Sequence, residues 1–222
     1  MLHIETFVLN PFSEQCYVVS DETTRLAFII DPGMADDYEW NRVHRYIEDK
    51  GLQLQFVLQT HGHTDHCMGS AYVARTYNIC IYGSMDEQNH MPSLQIQNNA
   101  FGIDTPLHWV PIDKNLNDGD VLWLGDAEAE GSHRIEVIDC PGHSFHGLCF
   151  YLPQDKVLFS GDVLFCGSVG RSDFGALMGG NGPLLIRNIV EKLLTLPADV
   201  RVYCGHGPTT TIGYEATYNP YL

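Results

Sequence analysis

Residues 58–70 read LQTHGHTDHCMGS, which gathers three histidines and an aspartate into positions 61–66 directly after an apolar run. Imidazole nitrogen and carboxylate oxygen are the donors that borderline divalent metals take, and a catalytic site keeps one coordination position open for water. Crowding imidazoles without a cation gains nothing and invites like-charge repulsion. The HxHxDH spacing therefore reads as metal ligation. His61 and His63 lie two apart, so in an extended chain they point the same way. Asp65 and His66, beyond a bend, can face a second ion. Cys67 has no second cysteine near it in sequence and reads as a buried, inert thiol.

Three later segments share one design, an apolar run that ends in a Gly-containing turn with a donor. IEVIDCPG precedes His143, VLFSG precedes Asp162 and VYCG precedes His206. Strand ends in a packed sheet can meet at one edge, and glycine lets the backbone turn tightly enough to aim a ligand there. A histidine in such a loop is, alone, most often a satisfied polar group; the HxHxDH cluster is what recruits these three. His61, His63, Asp65, His66, His143, Asp162 and His206 exceed the needs of one tetrahedral ion and suit two.

The elements that must position these residues are strands interleaved with helices. HIETFVL, QCYVVS and RLAFIIDPG read as strands separated by turn signals, and residues 35–50 as a helix with Trp40, Val43 and Ile47 at helical spacing and Gly51 as its stop. LQFVLQT, ICIYG, RIEVIDC, GLCFYLP, KVLFSGD and VRVYCG read as further strands. MGSAYVARTYN and PLLIRNIVEKLLTL read as helices. This alternation predicts an α/β architecture with helices covering the sheet faces. The polar stretch 84–109, interrupted by Pro92, reads as a helical excursion whose Met91, Leu94, Ile96 and Phe101 either line the pocket or pack as a surface feature. No repeat or linker marks a boundary, so one domain over residues 1–222 is expected.

With 28 acidic against 12 basic residues, the chain carries a net charge of −16. That repels phosphate backbones, so nucleic acid is not the expected partner. No apolar run is long enough to span a bilayer, and the opening residues lack the pattern of an export signal. Seven scattered cysteines without a CxxC pair suit a reduced protein. Cytoplasmic location and no membrane partner are the expectations; oligomeric state stays open.

The motifs HGHTDH, CPGH, SGD and CGHG, with IIDPG around Asp31, GRSDF after the SGD strand and the closing TIGYEATYNPYL, together resemble the metallo-β-lactamase fold superfamily. Among its members the chain looks most like compact, single-domain relatives of glyoxalase II, the hydroxyacylglutathione hydrolases. The resemblance implies a four-layer αββα sandwich with the metal site at one edge of the paired sheets. It implies two divalent ions per chain, zinc first, with iron or manganese also accepted. His61, His63 and His143 would hold one ion, Asp65, His66 and His206 the other, and Asp162 would bridge them. Asp65 and Asp162 are the expected catalytic side chains, around a bridging hydroxide that attacks the carbonyl of a small-molecule thioester such as S-lactoylglutathione.

The resemblance has two departures. No separate C-terminal domain of the kind that supplies much of glyoxalase II's glutathione-binding surface is expected after His206. HSFHG also replaces the family's usual His-Thr-Pro-Gly, placing Phe145 and His146 in that turn; His146 could face the site without being a ligand. Arg171, the basic residue near the SGD strand, is expected to hold Asp173 or Asp31 beside the metals, against the alternative of an ordinary surface pair. Rival readings are a persulfide dioxygenase with a single iron, a lactonase, and a non-catalytic metal-binding module. Transfer-RNA 3′-processing nucleases, β-lactamases and diiron flavoproteins fit less well, for want of positive charge, an export signal and a flavin domain respectively.

Overall fold

The computed structural model describes residues 1–104, 111–127, 129 and 131–222. The first sheet comprises β1 (Leu2–Leu9), β2 (Glu14–Asp21), β3 (Leu26–Ile30), β4 (Gln53–Leu58), β5 (Cys80–Gly83) and β6 (Lys114–Asn115), in that spatial order. β1, β2 and β3 pair antiparallel; from β3 onward the pairs are parallel. The second sheet is built from β7 (Val121–Leu124), β8 (His133–Asp139), β9 (Leu148–Leu152) and β10 (Val157–Gly161). After a two-residue hairpin of β11 (Leu164–Phe165) and β12 (Ser168–Val169), it is completed by β13 (Arg201–Cys204) and β14 (Thr210–Thr211). β10 and β13 are parallel neighbours, and their ends deliver Asp162 and His206 to the same edge.

Side-chain alternation explains the layering. In β3, Ala27 and Ile29 face a core shared with Val43 and Ile47 of α1 (Asp37–Lys50) and Val73 of α3 (Ser70–Tyr77). Phe28 and Ile30 point the other way, into a core between the sheets with Phe150, Phe159 and Ile135. A strand buried on both faces must be apolar throughout, as LAFII is. A third core joins Leu158 and Val202 to Leu185 of α6 (Gly182–Asn188). Three apolar layers separate four structural layers, which is the expected αββα sandwich. α1 begins where the Asp36 carboxylate accepts the Glu39 N–H and ends at Gly51, whose φ of 60° permits the left-handed cap.

Several elements differ from expectation. The helix expected at PLLIRNIVEKLLTL is α only to Asn188; Ile189–Leu193 form a π turn that keeps Ile189 and Leu193 buried in the same core as Leu185. Within MGSAYVARTYN the helix is α3 alone, starting at Ser70, and a separate single turn, α2 (Thr64–Cys67), precedes it. The 84–109 excursion contains α4 (Met85–His90) and α5 (Leu94–Phe101), both capped by serine, with Pro92 between them; its residues 105–109 lie outside the described residues. β7, β14 and the terminal helix α7 (Ile212–Tyr218) were not anticipated. Among the described residues no helix is long and apolar enough to cross a membrane.

Candidate metal centre

The carboxyl-terminal ends of β4, β8, β10 and β13 meet at one edge of the sandwich. They bring His61, His63, Asp65, His66, His143, Asp162 and His206 together. Backbone hydrogen bonds lock the edge: Leu148 N–H donates to Thr60 O, Gly205 N–H to Gly161 O and Gln15 N–H to Gly205 O, each at 2.8 Å. Gly205 is required by close approach, since a Cβ there would run into Asp162 Oδ1 and lie 2.8 Å from His66 Cε1.

The donors fall into two groups. Donor atoms of His61, His63 and His143 lie within 4.8 Å of one another, as do those of Asp65, His66 and His206; a third set, Asp31, His61 and His66, links the two. Asp162 faces both: one oxygen lies 3.3 Å from His66 Nε2, and the other lies 3.5 Å from both His143 Nε2 and His206 Nε2. His61 Nε2 and His143 Nε2 each stand 2.9 Å from His63 Nδ1. Nitrogen and oxygen donors of both groups therefore face one another across Asp162.

Outward hydrogen bonds decide which nitrogens carry protons. A carbonyl only accepts, so His143 Nδ1–H donates to Arg171 O (2.7 Å) and His206 Nδ1–H to Phe12 O (3.2 Å). His66 Nδ1–H donates to Asp31 (3.0 Å). The Thr60 hydroxyl donates to Asp31 and so accepts from His61 Nδ1–H (2.9 Å). The Nε2 atoms of four imidazoles thus face inward. Two of these press on the single Nδ1 of His63, which can donate a proton to only one of them, and His66 Nε2 and Asp162 Oδ1 are buried without a hydrogen-bond partner. Converging nitrogen and oxygen donors fit a cation, and outward partners of this kind orient ligating histidines.

Electrostatics divide the same way. Burial, then the neighbouring histidines, holds His61 well below the ordinary imidazole range. Burial and His143 bring His63 down to about 3. Burial disfavours charge on His66, but Asp162 and Asp65 overcome it and hold the pKa well above normal. Burial also opposes ionisation of Asp162, yet His66, His143 and His206 keep it strongly depressed.

The profile of the Metallo-beta-lactamase superfamily matches residues 9–206. The chain belongs to that superfamily. It is 34% identical to hydroxyacylglutathione hydrolase GloC of Haemophilus influenzae, over 100% of this chain and 98% of the relative. Among solved structures, the BLEG-1 B3 metallo-beta-lactamase is 32% identical with a TM-score of 0.86, over 99% of both chains. TTHA1623 in a di-iron-bound form is 31% identical with a TM-score of 0.82, over 98% of this chain and 100% of that one. ETHE1 from Myxococcus xanthus is 25% identical with a TM-score of 0.77, over 98% and 83%. The metallo-β-lactamase fold expected from the motifs is the fold observed, and this superfamily member carries the His and Asp groups of a metallo-hydrolase.

The donor groups open on a cavity of about 240 Å³ walled by Phe12, Phe101, Phe165, Phe174 and Met178, with Arg171 at its mouth. Phe12 and Phe101 meet edge to face at 5.4 Å, and Phe174 lies edge-on to His63 and His143. Of the four apolar residues singled out in the 84–109 stretch, Phe101 lines this cavity. Met91 and Leu94 instead line a small cleft with Gly62, and Ile96 is exposed. His146 turns its ring to the surface, 3.9 Å from Asp139. Cys67 is buried, its thiol raised by burial and donating to His63 O at 3.0 Å.

Arg171 corrects an expectation. Its guanidinium makes paired 2.9 Å bonds to Asp173 at the surface and stacks on Phe174 at 4.7 Å, leaving Asp31 to Thr60 and His66. What supports His143 is the Arg171 backbone carbonyl. Sequence reasoning also missed Thr60 and Asn10, whose Nδ2 donates to Asp65 O at 2.9 Å.

Proposed function

We propose that this chain is a dinuclear metal-dependent hydrolase of acyl thioesters, with a compact acyl group seated among the phenylalanines. The observation that supports it most is the set of inward-facing imidazole nitrogens and carboxylates in two groups on the floor of an apolar cavity. His61, His63 and His143 would hold one divalent ion, Asp65, His66 and His206 the other, with Asp162 toward both. Such ions, when bound, supply a Lewis acid for an acyl carbonyl and make a water-derived nucleophile available near neutral pH. Zinc suits the nitrogen-rich donors, and iron or manganese accepts them; the di-iron TTHA1623 relative favours keeping iron in any test.

The side chains do the rest. Asp65 and Asp162 supply negative charge that stabilises the cations and orients what binds between them. Phe12, Phe101, Phe165 and Phe174 exclude water from the acyl group, and the opening beside Arg171 leaves a path for the thiol. The GloC relative favours a hydroxyacyl thioester, and among the described lining residues Arg171 is the one Lys or Arg that could meet a carboxylate of glutathione. All seven cysteines are free, which suits a reducing compartment and supports the cytoplasm.

The test is elemental analysis of purified protein, reloading with zinc, iron(II) or manganese, and assay on S-lactoylglutathione, a simple acyl thioester, a lactone and a β-lactam. Metal-dependent thioester cleavage as the fastest reaction is the expected result. Faster lactone or lactam turnover would reassign the substrate, and oxygen uptake with a glutathione persulfide would favour the ETHE1-like chemistry. Stoichiometric metal with no turnover on any substrate would leave only a binding module.

A further inference from the structure

Helices α4 and α5 carry three polar side chains buried as deeply as the core: Glu87 and Gln97 at 2% exposure and Asn98 at 0%. None of them lines the cavity; all turn toward the loop that carries His61, His63 and Asp65. Glu87 Oε1 accepts the Gly62 N–H at 3.0 Å, and its Oε2 accepts the His146 N–H at 2.7 Å. Gln97 accepts the Thr64 N–H at 2.9 Å and donates to Gly62 O at 3.0 Å. The Thr64 hydroxyl donates to Asn98. Gly62 lies between His61 and His63, and His146 closes the turn that begins at His143.

We propose that Glu87 is a positioning residue for one half of the metal centre, its carboxylate fixing the separation between the His61–His63 loop and the His143 turn. Both of its oxygens accept from backbone N–H groups, which cannot reverse roles. An amide at this position must therefore set an NH₂ against one N–H and leave a buried donor unpaired. Asp65 and His206 of the other group are also held from a different segment. Asn10 donates to Asp65 O and accepts the Phe12 N–H, and Phe12 O holds His206. Apart from Asp31, which holds His66 directly and His61 through Thr60, each half thus has a support of its own, and the inference rests on the two donor groups alone, independent of the substrate.

The experiment titrates cobalt(II) into metal-free wild type, Glu87→Gln and Asn10→Asp against a chromogenic chelator, recording the cobalt absorption spectrum and the Tm of each metal-free protein. Groups that orient ligands are worth about 10–100-fold in metal affinity. E87Q should therefore weaken one equivalent at least about tenfold, with an altered spectrum for that equivalent, and leave the other unchanged. N10D should weaken the opposite equivalent. If E87Q does not fold, Glu87→Asp retains the charge but not the reach to both N–H groups, and the same selective loss is expected. Equal weakening of both equivalents by the Glu87 variant, or full affinity at both, overturns the proposal. Because no substrate is involved, failure of thioester hydrolysis would count against the proposed function and not against this role of Glu87.

Discussion

Asp31→Asn changes one atom outside the donor set, and it should disable both halves of the centre. Asp31 is buried, with Oδ1 accepting the Thr60 N–H at 2.7 Å and Oδ2 contacted by Thr60 Oγ (2.5 Å) and His66 Nδ1 (3.0 Å). An asparagine must keep its oxygen on the Thr60 N–H, so its NH₂ faces Thr60 Oγ and His66 Nδ1. Thr60 then accepts, and its hydroxyl hydrogen turns to His61 Nδ1. The His61 proton moves to Nε2, pointing inward. His66 likewise becomes an acceptor at Nδ1 and protonated at Nε2. Metal binding must undo each change by breaking a buried hydrogen bond, at about 1–3 kcal/mol apiece, or roughly 5- to 150-fold in affinity per site. The fold should survive, since asparagine is isosteric and tolerates the left-handed φ of 46° at this position. Zinc competition with a chelator measures the affinities, and ¹⁵N-correlated NMR of the metal-free protein reads the His61 tautomer. Wild-type zinc affinity in D31N, or weakened affinity with His61 still protonated at Nδ1, would refute the reasoning.

Asp162→Ala removes the carboxylate that faces both groups, so both metals should weaken by more than the roughly 10–100-fold seen for groups that merely orient ligands, and thioester turnover should vanish; retained turnover would contradict the proposed function. Arg171→Ala should leave metal content unchanged, because only its backbone carbonyl contacts His143, while raising KM for anionic thioesters more than for neutral ones; metal loss would show that the guanidinium matters at the centre. His133 bonds Asp155 at 2.8 Å and lies 3.3 Å from Asp21, and its pKa is raised chiefly by the Asp155 bond. The protonated form is therefore favoured by folding. Its contribution is complete below the unfolded value near 6.5 and is lost as pH rises through the higher folded value. Between pH 6 and 9, wild type should lose more stability than His133→Gln; parallel Tm profiles would count against that assignment.

How much was legible depended on whether a residue acts through its side chain or its backbone. Ligation demands imidazole or carboxylate, so His61, His63, Asp65 and His66 announce themselves by type and spacing. His143, Asp162 and His206 follow because an apolar run ending in glycine marks where a strand stops. The strands buried on both faces, such as LAFII and VLFSG, were legible for the same reason: position in a sandwich core dictates composition. The two-residue β14 and the four-residue β7 were not, since segments so short carry little periodicity and are fixed by their neighbours.

The orientation of the donors obeys other rules. Phe12 and Arg171 aim His206 and His143 through carbonyl oxygens that every amino acid possesses, so no residue type could reveal them. Arg171 drew attention for its charge, yet the charge sits at the surface while the backbone beneath it orients His143. Glu87, Gln97 and Asn98 looked like ordinary polar residues in a polar stretch, because burial, which is what makes them informative, exists only after α4 and α5 dock on the loop. An ionisable group enclosed at 2% exposure must be satisfied by specific partners, and here those partners are N–H groups flanking the candidate donors. The donor set thus says that a cation can bind, whereas its directional presentation is a property of the whole sandwich edge. Substitutions distant in sequence, at 10, 31 and 87, should therefore tune metal affinity as strongly as changes beside the ligands themselves.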